Sequence, residues 1–130
     1  MALTGWVEPD QVVWRGIRWA RRGNLLVKYG EATDRSTLIY TVPAGRTFYL
    51  VGAVATPLTF GAGDGYAYIR DSADAMWFRL GVFIHVAEAS FAPAIFQPAS
   101  PLEVPEGCDF VASSNRAEQT MTLSFCGWEE

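Results

Sequence analysis

The residue type best suited to catalysis in this sequence is histidine, and His85 is the only one among 130 residues. A single imidazole could act as the base of a Ser-His-Asp arrangement, but the sequence contains no nucleophile elbow that would present the serine. One histidine also cannot form a His-rich metal site within one chain. His85 alternates with Phe83 in a β-strand pattern, which is typical of a packed or interface residue. The sequence therefore does not predict a hydrolase built on His85.

Two pairs of carboxylates have a spacing that a hydrolytic dyad could use, Asp71 with Asp74 and Glu103 with Glu106. Both pairs fall in predicted turns, where acidic residues are ordinarily solvated. Asp64 extends the first pair toward a calcium site, but the spacing matches no calcium-binding loop. We therefore expect no enzymatic activity, no metal site and no cofactor.

The two cysteines, Cys108 and Cys126, flank a polar loop and invite a cross-strand disulfide. In the last predicted strand Leu123 and Phe125 must face the core, so Cys126 points to the opposite face. Cys108, in contrast, shares the face of Phe110. Because directly paired residues of two strands lie on the same face, the sequence predicts two free thiols.

The segment that organises the predicted fold is 42–55, where a turn containing Pro43 and Gly45 opens onto a long apolar run. Strict alternation places one set of side chains on each face of this strand: Phe48, Leu50, Gly52 and Val54 on one, and Tyr49, Val51, Ala53 and Ala55 on the other. Both faces are apolar. Such a strand is central in its sheet, with the core on one side and a second layer or a neighbouring subunit on the other.

A second long strand is predicted over 77–87, and its two faces differ. The predicted core face is Phe78, Leu80, Val82, Ile84 and Val86, and the other face is Trp77, Arg79, Gly81, Phe83 and His85. The mixed composition of the second face is typical of a contact surface. The two long strands carry more apolar surface than one core uses. We therefore predict an oligomer interface formed by Tyr49, Val51, Trp77, Phe83 and His85.

Turn signals divide residues 23–130 into about eight short β-prone segments, with no alternation of strands and helices. In the last segment the side chains alternate cleanly, with Leu123 inward and Thr122 and Ser124 outward in solvent. The sequence predicts an all-β protein with an antiparallel, jelly-roll-like β-sandwich of about eight strands over 23–130. An N-terminal arm, 1–22, precedes it.

The arm has a composition of its own, with three of the five tryptophans and four of the ten basic residues. Asp10 could cap a short helix over 11–22, although Gly16 and several β-branched residues weaken that pattern. The arm either packs on its own sandwich or docks onto another subunit; a membrane contact is disfavoured by Glu8 and Asp10. Because tryptophan and arginine are enriched at interface anchors, we predict an assembly anchor formed by Trp6, Trp14, Arg15, Arg18, Trp19 and Arg22.

Composition limits the class of protein. The 130 residues suffice for one domain with its own core, and a content of 50% hydrophobic and 14% aromatic residues excludes disorder. The net charge of −4 argues against a nucleic-acid-binding protein. The sequence contains no apolar run near the roughly 18 residues of a membrane span and no apolar core of a secretion signal. We expect a protein made in the cytoplasm that binds neither nucleic acid nor membrane.

Two motifs of the predicted sandwich resemble a known family. One is the turn TVPAGRTFYL at 41–50, and the other is the closing segment 101–130, which runs from PLEVPEG to GWEE. Together they resemble the small jelly-roll structural proteins of tailed bacteriophages, which occur as capsid decoration proteins, head fibres and β-sandwich modules of tails. The resemblance covers residues 38–130 and leaves out the arm. It implies a non-enzymatic virion component, commonly a homotrimer, and it transfers no functional residue.

Three functions of different classes remain open. The first is a virion structural protein, of the capsid decoration or head-associated kind, that binds itself and the major capsid protein or other virion subunits. The second is a carbohydrate-binding sandwich of a phage tail or surface protein, in which Tyr66, Tyr68 and Trp77 stack on sugar rings. The third is an enzyme or cupin-like domain. We expect the first, with the mature protein located in the virion.

Overall fold

A computed structural model of the chain describes residues 7–8, 11–14, 17–20, 24–58, 63–86, 93–117 and 119–130. The described residues contain no helix. They form twelve β-strands: β1 (Val7–Glu8), β2 (Gln11–Trp14), β3 (Ile17–Ala20), β4 (Asn24–Thr33), β5 (Ser36–Thr41), β6 (Phe48–Pro57), β7 (Gly63–Arg70), β8 (Met76–Val86), β9 (Ala94–Phe96), β10 (Leu102–Val104), β11 (Asp109–Ser114) and β12 (Thr120–Glu129).

Two antiparallel sheets packed face to face make up the body of the protein. One has the strand order β10-β6-β12-β4, with β9 also paired to β6, and the other has the order β5-β11-β7-β8. The pairing is nested, because β4 pairs with β12, β5 with β11, β6 with β9 and β10, and β7 with β8. The prediction of an all-β antiparallel sandwich is confirmed. The described sandwich has nine strands, since β10 lies in 101–107, which the sequence predicts as a turn segment.

Aromatic rings from both sheets form the centre of the core. Phe110 of β11 stacks on Phe125 of β12 with the ring centroids 4.1 Å apart. Phe48 of β6 meets these two rings edge-on, with centroid distances of 5.5 and 5.8 Å. All three side chains are fully buried. Met121 and Leu123 lie in the same core, which confirms the predicted inward face of β12.

The predicted turn before β6 is confirmed, and it is tied to the rest of the sandwich. The amide of Arg46 donates to the carbonyl oxygen of Pro43 at 3.1 Å, and Gly45 has a φ of 76°, which favours glycine over any residue with a Cβ atom. The amide of Val42 donates to the carbonyl oxygen of Cys108 at 2.9 Å. The turn that leads into β6 is therefore tied to the residue that precedes β11.

Strand β6 contains a β-bulge at Val51. On β12, Cys126 is opposite Gly52 and Gly127 is opposite Leu50, which leaves Val51 as an additional residue in β6. One additional residue moves every later side chain of a strand to the other face.

The bulge reverses the predicted facing of the second half of β6. Strict alternation is correct up to Val51 and wrong after it, because the core residues of this strand are Phe48, Leu50, Ala53 and Ala55. Tyr49 and Val51, as predicted, and Val54, against the prediction, belong to a second apolar cluster on the outer face of the sheet.

Strand β8 contains an equivalent irregularity at Leu80. On β7, Ala67 is opposite Gly81 and Tyr68 is opposite Arg79, so that Leu80 is additional in β8. Further shifts in register lie on either side of it along the same pair of strands.

The facing predicted for β8 is therefore only partly correct. Phe78 packs against the core and Leu80 is buried, as predicted. Beyond the bulge the prediction is wrong: Val82 is exposed, and Phe83 packs against the core. Gly81 faces inward too, because a Cβ atom built there would lie 2.9 Å from the side chain of an alanine on the opposite sheet.

The two thiols occupy the opposite faces that were predicted for them. Cys108 lies in the core between the sheets, and Cys126 lies in the outer cluster of the five-stranded sheet. Both are free and buried.

The predicted helix over 11–22 is wrong, because β2 and β3 occupy this stretch as an antiparallel pair in which Trp14 is opposite Ile17. The reason is the β-branched Val12, Val13 and Ile17, whose side chains are better accommodated in strands than in helices. β1 pairs with β2, and the three strands form a separate sheet, which we call the N-terminal hairpin sheet. Strand β2 lies beside β6 of the sandwich.

Candidate functional site

The outer face of the five-stranded sheet is an apolar surface, which we call the hairpin face. The strand registers place four rows of side chains on it: Glu103, Tyr49, Trp128 and Leu25; Val51, Cys126 and Val27; Ile95, Val54, Ser124 and Tyr29; and Thr56, Thr122 and Glu31. Acidic residues stand at two borders, and nearly everything between them is apolar or a small hydroxyl residue. An antiparallel sheet of a free monomer usually turns a polar face to water, so this face is suited to contact.

Three side chains of the hairpin face form a buried centre. Val51, Cys126 and Trp128 are 0%, 1% and 5% exposed, although they lie outside the core of the sandwich. Trp128 stacks on Tyr49 with the ring centroids 5.4 Å apart and an interplanar angle of 16°. Its indole Nε1 donates to a carboxylate oxygen of Glu130 at 3.4 Å. Strand β2 of the N-terminal hairpin sheet comes close to β6, the strand that contains Val51.

Burial determines the chemistry of the Cys126 thiol. Removal from water raises the pKa of Cys126 from 9.0 to about 12. The thiol therefore stays protonated at neutral pH. Since the thiolate is the nucleophile, Cys126 is unreactive as long as the hairpin face is covered.

Beside the buried centre, the hairpin face is open at both flanks. Val27 and Tyr29 of the edge strand β4 are each 60% exposed, and Ile95 of β9 is 46% exposed. The phenol of Tyr29 donates to a carboxylate oxygen of Glu31 at 3.1 Å, which holds the ring along the strand. The exposed flanks continue the apolar surface of the buried centre, so the whole surface is larger than the part that is covered.

The outer face of the four-stranded sheet, which we call the tyrosine face, has a different character. Its register places three rows of side chains side by side: Ser36, Ser113, Tyr66 and Val82; Leu38, Val111, Tyr68 and Arg79; and Thr41, Asp109, Arg70 and Met76. Aromatic rings here alternate with hydroxyl, guanidinium and carboxylate groups. Leu38 is 50% exposed.

One end of the tyrosine face is fixed by an ion pair. Nε of Arg70 lies 2.9 Å from a carboxylate oxygen of Asp109, and the hydroxyl of Thr41 donates to the other oxygen at 2.5 Å. The hydrogen bond to Asp109 is the main cause of a raised pKa of Arg70, with Asp74 adding to it. Asp109 is mostly buried, so this group holds β5, β11 and β7 together and does not present a free carboxylate for catalysis.

The predicted interface residues do not form one surface. Tyr49 and Val51 lie on the hairpin face, Trp77 is 42% exposed on β8 of the other sheet, and Phe83 faces the core. His85 lies in β8, but its side chain is outside the described part of the structure.

Three of the predicted anchor residues lie in the N-terminal hairpin sheet. Trp14 is in β2, and Arg18 and Trp19 are in β3. Trp6, Arg15 and Arg22 lie outside the described residues. The described part of the arm thus forms paired strands, and β2 comes close to β6 of the sandwich.

Several residues of the hairpin face were missed from the sequence. The outer face of β12 was predicted to be solvated, but Thr122 is buried and its hydroxyl donates to the carbonyl oxygen of Thr56 at 2.7 Å. Cys126 and Trp128 are buried as well. The available signal was the pair Cys126 and Trp128 at the end of the strand, which makes that end of the outer face apolar.

The turn-forming role of the aspartates is confirmed at Asp71, whose side-chain oxygen accepts the amides of Ala73 and Ala75 at 2.9 and 3.0 Å. Among the described residues, no group of three or more His, Cys, Asp or Glu side chains could hold a metal ion. The same part of the chain contains no helix long and apolar enough to cross a membrane. In comparisons with known proteins, no family model, no curated protein and no solved structure matches this chain.

Proposed function

We propose that this chain is a non-enzymatic structural protein of a bacteriophage virion, which binds the particle as a capsid decoration or head-associated protein. The observation that carries the proposal is the hairpin face. A buried apolar centre on the outside of a sandwich, continued by exposed Val27, Tyr29 and Ile95, is a surface built for contact with protein. The partners are further copies of this chain, as a homotrimer, and the major capsid protein or other virion subunits.

The strand pairing supports a jelly-roll connection of the sandwich. Strands β9 and β10 pair with successive parts of β6, at Ala53–Ala55 and at Phe48–Leu50, and act as one interrupted strand. Counted in this way the sandwich has eight strands, in which the first pairs with the last and each following strand pairs inward. Rolling up such a nested hairpin gives a jelly roll, an architecture used in viral capsid and lectin domains.

Binding to capsids with matched surface variants tests this function. Val27 on the hairpin face and Leu38 on the tyrosine face are both aliphatic and at least half exposed. We expect Val27→Glu to reduce co-sedimentation with capsids about tenfold or more, since a charge would have to be desolvated in an apolar contact. Leu38→Glu should co-sediment as the wild type does. Equal binding by both variants, or no binding by the wild type, would refute the proposal.

A second candidate is a carbohydrate-binding module, and the tyrosine face is the observation that favours it. Tyr66 and Tyr68 project from the same side of β7, with Arg79 and Ser113 beside them in the neighbouring strands. Sugar rings stack on such aromatic side chains while their hydroxyls bond to adjacent polar groups. A glycan array with the purified protein tests this candidate. Binding lost in Tyr68→Ala and kept in Tyr29→Ala would support it, whereas a blank array would remove it.

A further inference from the structure

The tyrosine face carries a positive charge that no described carboxylate neutralises. Of its two arginines, Arg70 lies 2.9 Å from Asp109 and 3.6 Å from Asp74. Arg79 is exposed, and its Nε donates to the sulfur of Met76 at 3.1 Å. Within the described part of the chain, Arg79 forms no ion pair. The remaining N–H groups of its guanidinium are therefore available to an anion.

Two aromatic rings lie next to this charge on β7, and polar neighbours orient both. The phenol of Tyr66 donates to a carboxylate oxygen of Asp64 at 3.4 Å. The hydrogen bond to Asp109 is the main cause of the raised pKa of Arg70, and the phenol of Tyr68 is close enough to add to it. The two phenol groups thus reach toward opposite ends of β7. Both tyrosines are half-buried, which leaves part of each ring accessible.

A hydroxyl group and the free guanidinium stand on either side of the two rings. Ser113 is opposite Tyr66 on β11, and its hydroxyl accepts a hydrogen bond from Ser36 at 2.9 Å, so it keeps its own proton for a ligand. Arg79 is opposite Tyr68 on β8. Neighbouring strands are about 4.8 Å apart and alternate residues of one strand about 7 Å apart, so these groups share a patch of roughly 14 by 7 Å. This is the size of a short oligosaccharide.

We propose that the tyrosine face binds an acidic oligosaccharide, with a sugar carboxylate held by Arg79 and the sugar ring stacked on Tyr68. A planar guanidinium binds a carboxylate through two parallel hydrogen bonds, and an aromatic ring packs on the apolar side of a sugar. A neutral sugar would leave the charge of Arg79 without a partner. An acidic peptide would supply the carboxylate but no flat ring to pack on the tyrosines.

This inference rests on the second candidate function and deepens it, since it names the class of glycan. It is also compatible with attachment to a particle. The tyrosine face and the hairpin face are the outer faces of the two sheets, so they lie on opposite sides of the sandwich. A protein bound through the hairpin face therefore presents the tyrosine face away from its partner.

The charge of the glycan is tested first. A glycan array with uronate-containing, sialylated and neutral oligosaccharides is probed with the purified full chain, and we expect binding only to the acidic ones. The acidic glycan that binds best is then titrated by isothermal calorimetry beside its methyl ester, which has the same rings without the charge. We expect the ester to bind about tenfold more weakly, and added salt to weaken binding of the acid alone.

Two matched variants then locate the charge contact. Arg79→Gln and Arg46→Gln change the total charge equally, and Arg46 is exposed in the turn before β6 of the other sheet. We expect Arg79→Gln to lower the affinity for the acid about tenfold and to leave that for the ester unchanged, because the variant and the ester remove the same contact. Arg46→Gln should change neither. Equal effects of the two variants on binding of the acid would overturn the role of Arg79.

The stacking contact has its own readout. Tyr68→Ala should lower the affinity for the acid and for the ester by the same factor, since both keep the sugar ring. Thermal unfolding confirms that the variant is folded. Unchanged binding of both glycans by folded Tyr68→Ala would overturn the proposed site.

The array also separates this inference from the functions proposed above. A blank array removes both the inference and the carbohydrate-binding candidate. Equal binding of acidic and neutral glycans keeps that candidate and overturns the inference. Binding of a poly-glutamate peptide as tightly as the acidic glycan would reveal a general attraction for anions and would overturn it too. No capsid is used, so co-sedimentation with capsids decides the virion function independently.

Discussion

Replacing Gly127 by alanine tests the close approach of β12 to β6 beside the bulge. A Cβ atom at this position would lie 2.0 Å from the carbonyl oxygen of Tyr49 and 2.8 Å from the ring of Phe48. An ordinary carbon–oxygen contact is about 3.3 Å. The backbones of the two central strands would therefore have to separate by about 1 Å at the point where the Val51 bulge already interrupts their pairing.

The expected loss of stability depends on which atom the added Cβ atom would collide with. Overpacking that side chains can relieve costs about 1–3 kcal/mol, but here the obstacle is a backbone carbonyl in the middle of a sheet. We expect Gly127→Ala to lower the free energy of unfolding by about 3 kcal/mol or more. For a chain of this length that corresponds to a fall in melting temperature of roughly 10 °C.

Urea unfolding followed by tryptophan fluorescence measures this cost, with Gly45→Ala as the matched control. Gly45 has a φ of +76°, and a Cβ atom added there would meet nothing within 4 Å, so alanine adds conformational strain without a collision. We expect that control to lose about 1–2 kcal/mol. If Gly127→Ala is no less stable than Gly45→Ala, the close approach of β12 to Tyr49 does not exist as described.

Four further substitutions test the facing of the strands and the ion pair on the tyrosine face by chemical or thermal unfolding. Leu123→Ala should lower the free energy of unfolding by about 2–5 kcal/mol because this side chain is fully buried in the core. Thr122→Ala should lower it by only about 1 kcal/mol, the value of one hydrogen bond. Equal losses would contradict the assigned faces of β12. Phe83→Glu should yield an unfolded or aggregated protein, since the bulge turns Phe83 to the core, and a folded monomer would restore the predicted interface role. Asp109→Asn should cost about 1–2 kcal/mol by weakening the pair with partly exposed Arg70, and an unchanged melting temperature would show that this pair adds nothing.

Strand alternation predicted the facing of β12 correctly, because Met121, Leu123 and Phe125 lie before the shift in register that begins after Cys126. The same rule failed in β6 and β8, because each has an additional residue within the strand. In β6 the bulge leaves no mark in the sequence, because both faces of that strand are apolar and shifting the alternation by one residue replaces one apolar set with another. The class of fold was therefore predictable, but the surface that each long strand exposes was not.

The N-terminal segment failed for a different reason. A helical stripe and a hairpin are both compatible with its spacing, and the sequence contained the deciding signal in the β-branched Val12, Val13 and Ile17. These residues already weakened the helix prediction, and in the structure they outweigh the stripe. The predicted interface set was divided because Tyr49 and Val51 lie on one sheet and Trp77 lies on the other, and because the bulge in β8 turns Phe83 to the core.

Strand β6 is central and has two apolar faces, so a protein layer has to pack on each of them to exclude water. The sizes of the elements show that the layer on the outer face is incomplete. The opposite sheet covers the inner face of β6. The N-terminal hairpin sheet has three strands of two to four residues, which span roughly 14 by 10 Å. The hairpin face runs along the ten residues of β12 and across four strands, roughly 33 by 15 Å.

The hairpin sheet is thus large enough for the centre at Val51, Cys126 and Trp128 but not for the flanks. This agrees with the exposure of Val27 and Tyr29 on β4, on the far side of β12 from β6. Removing these flanks from water requires a further protein surface, and the edge strand β4 is where that surface would have to be placed.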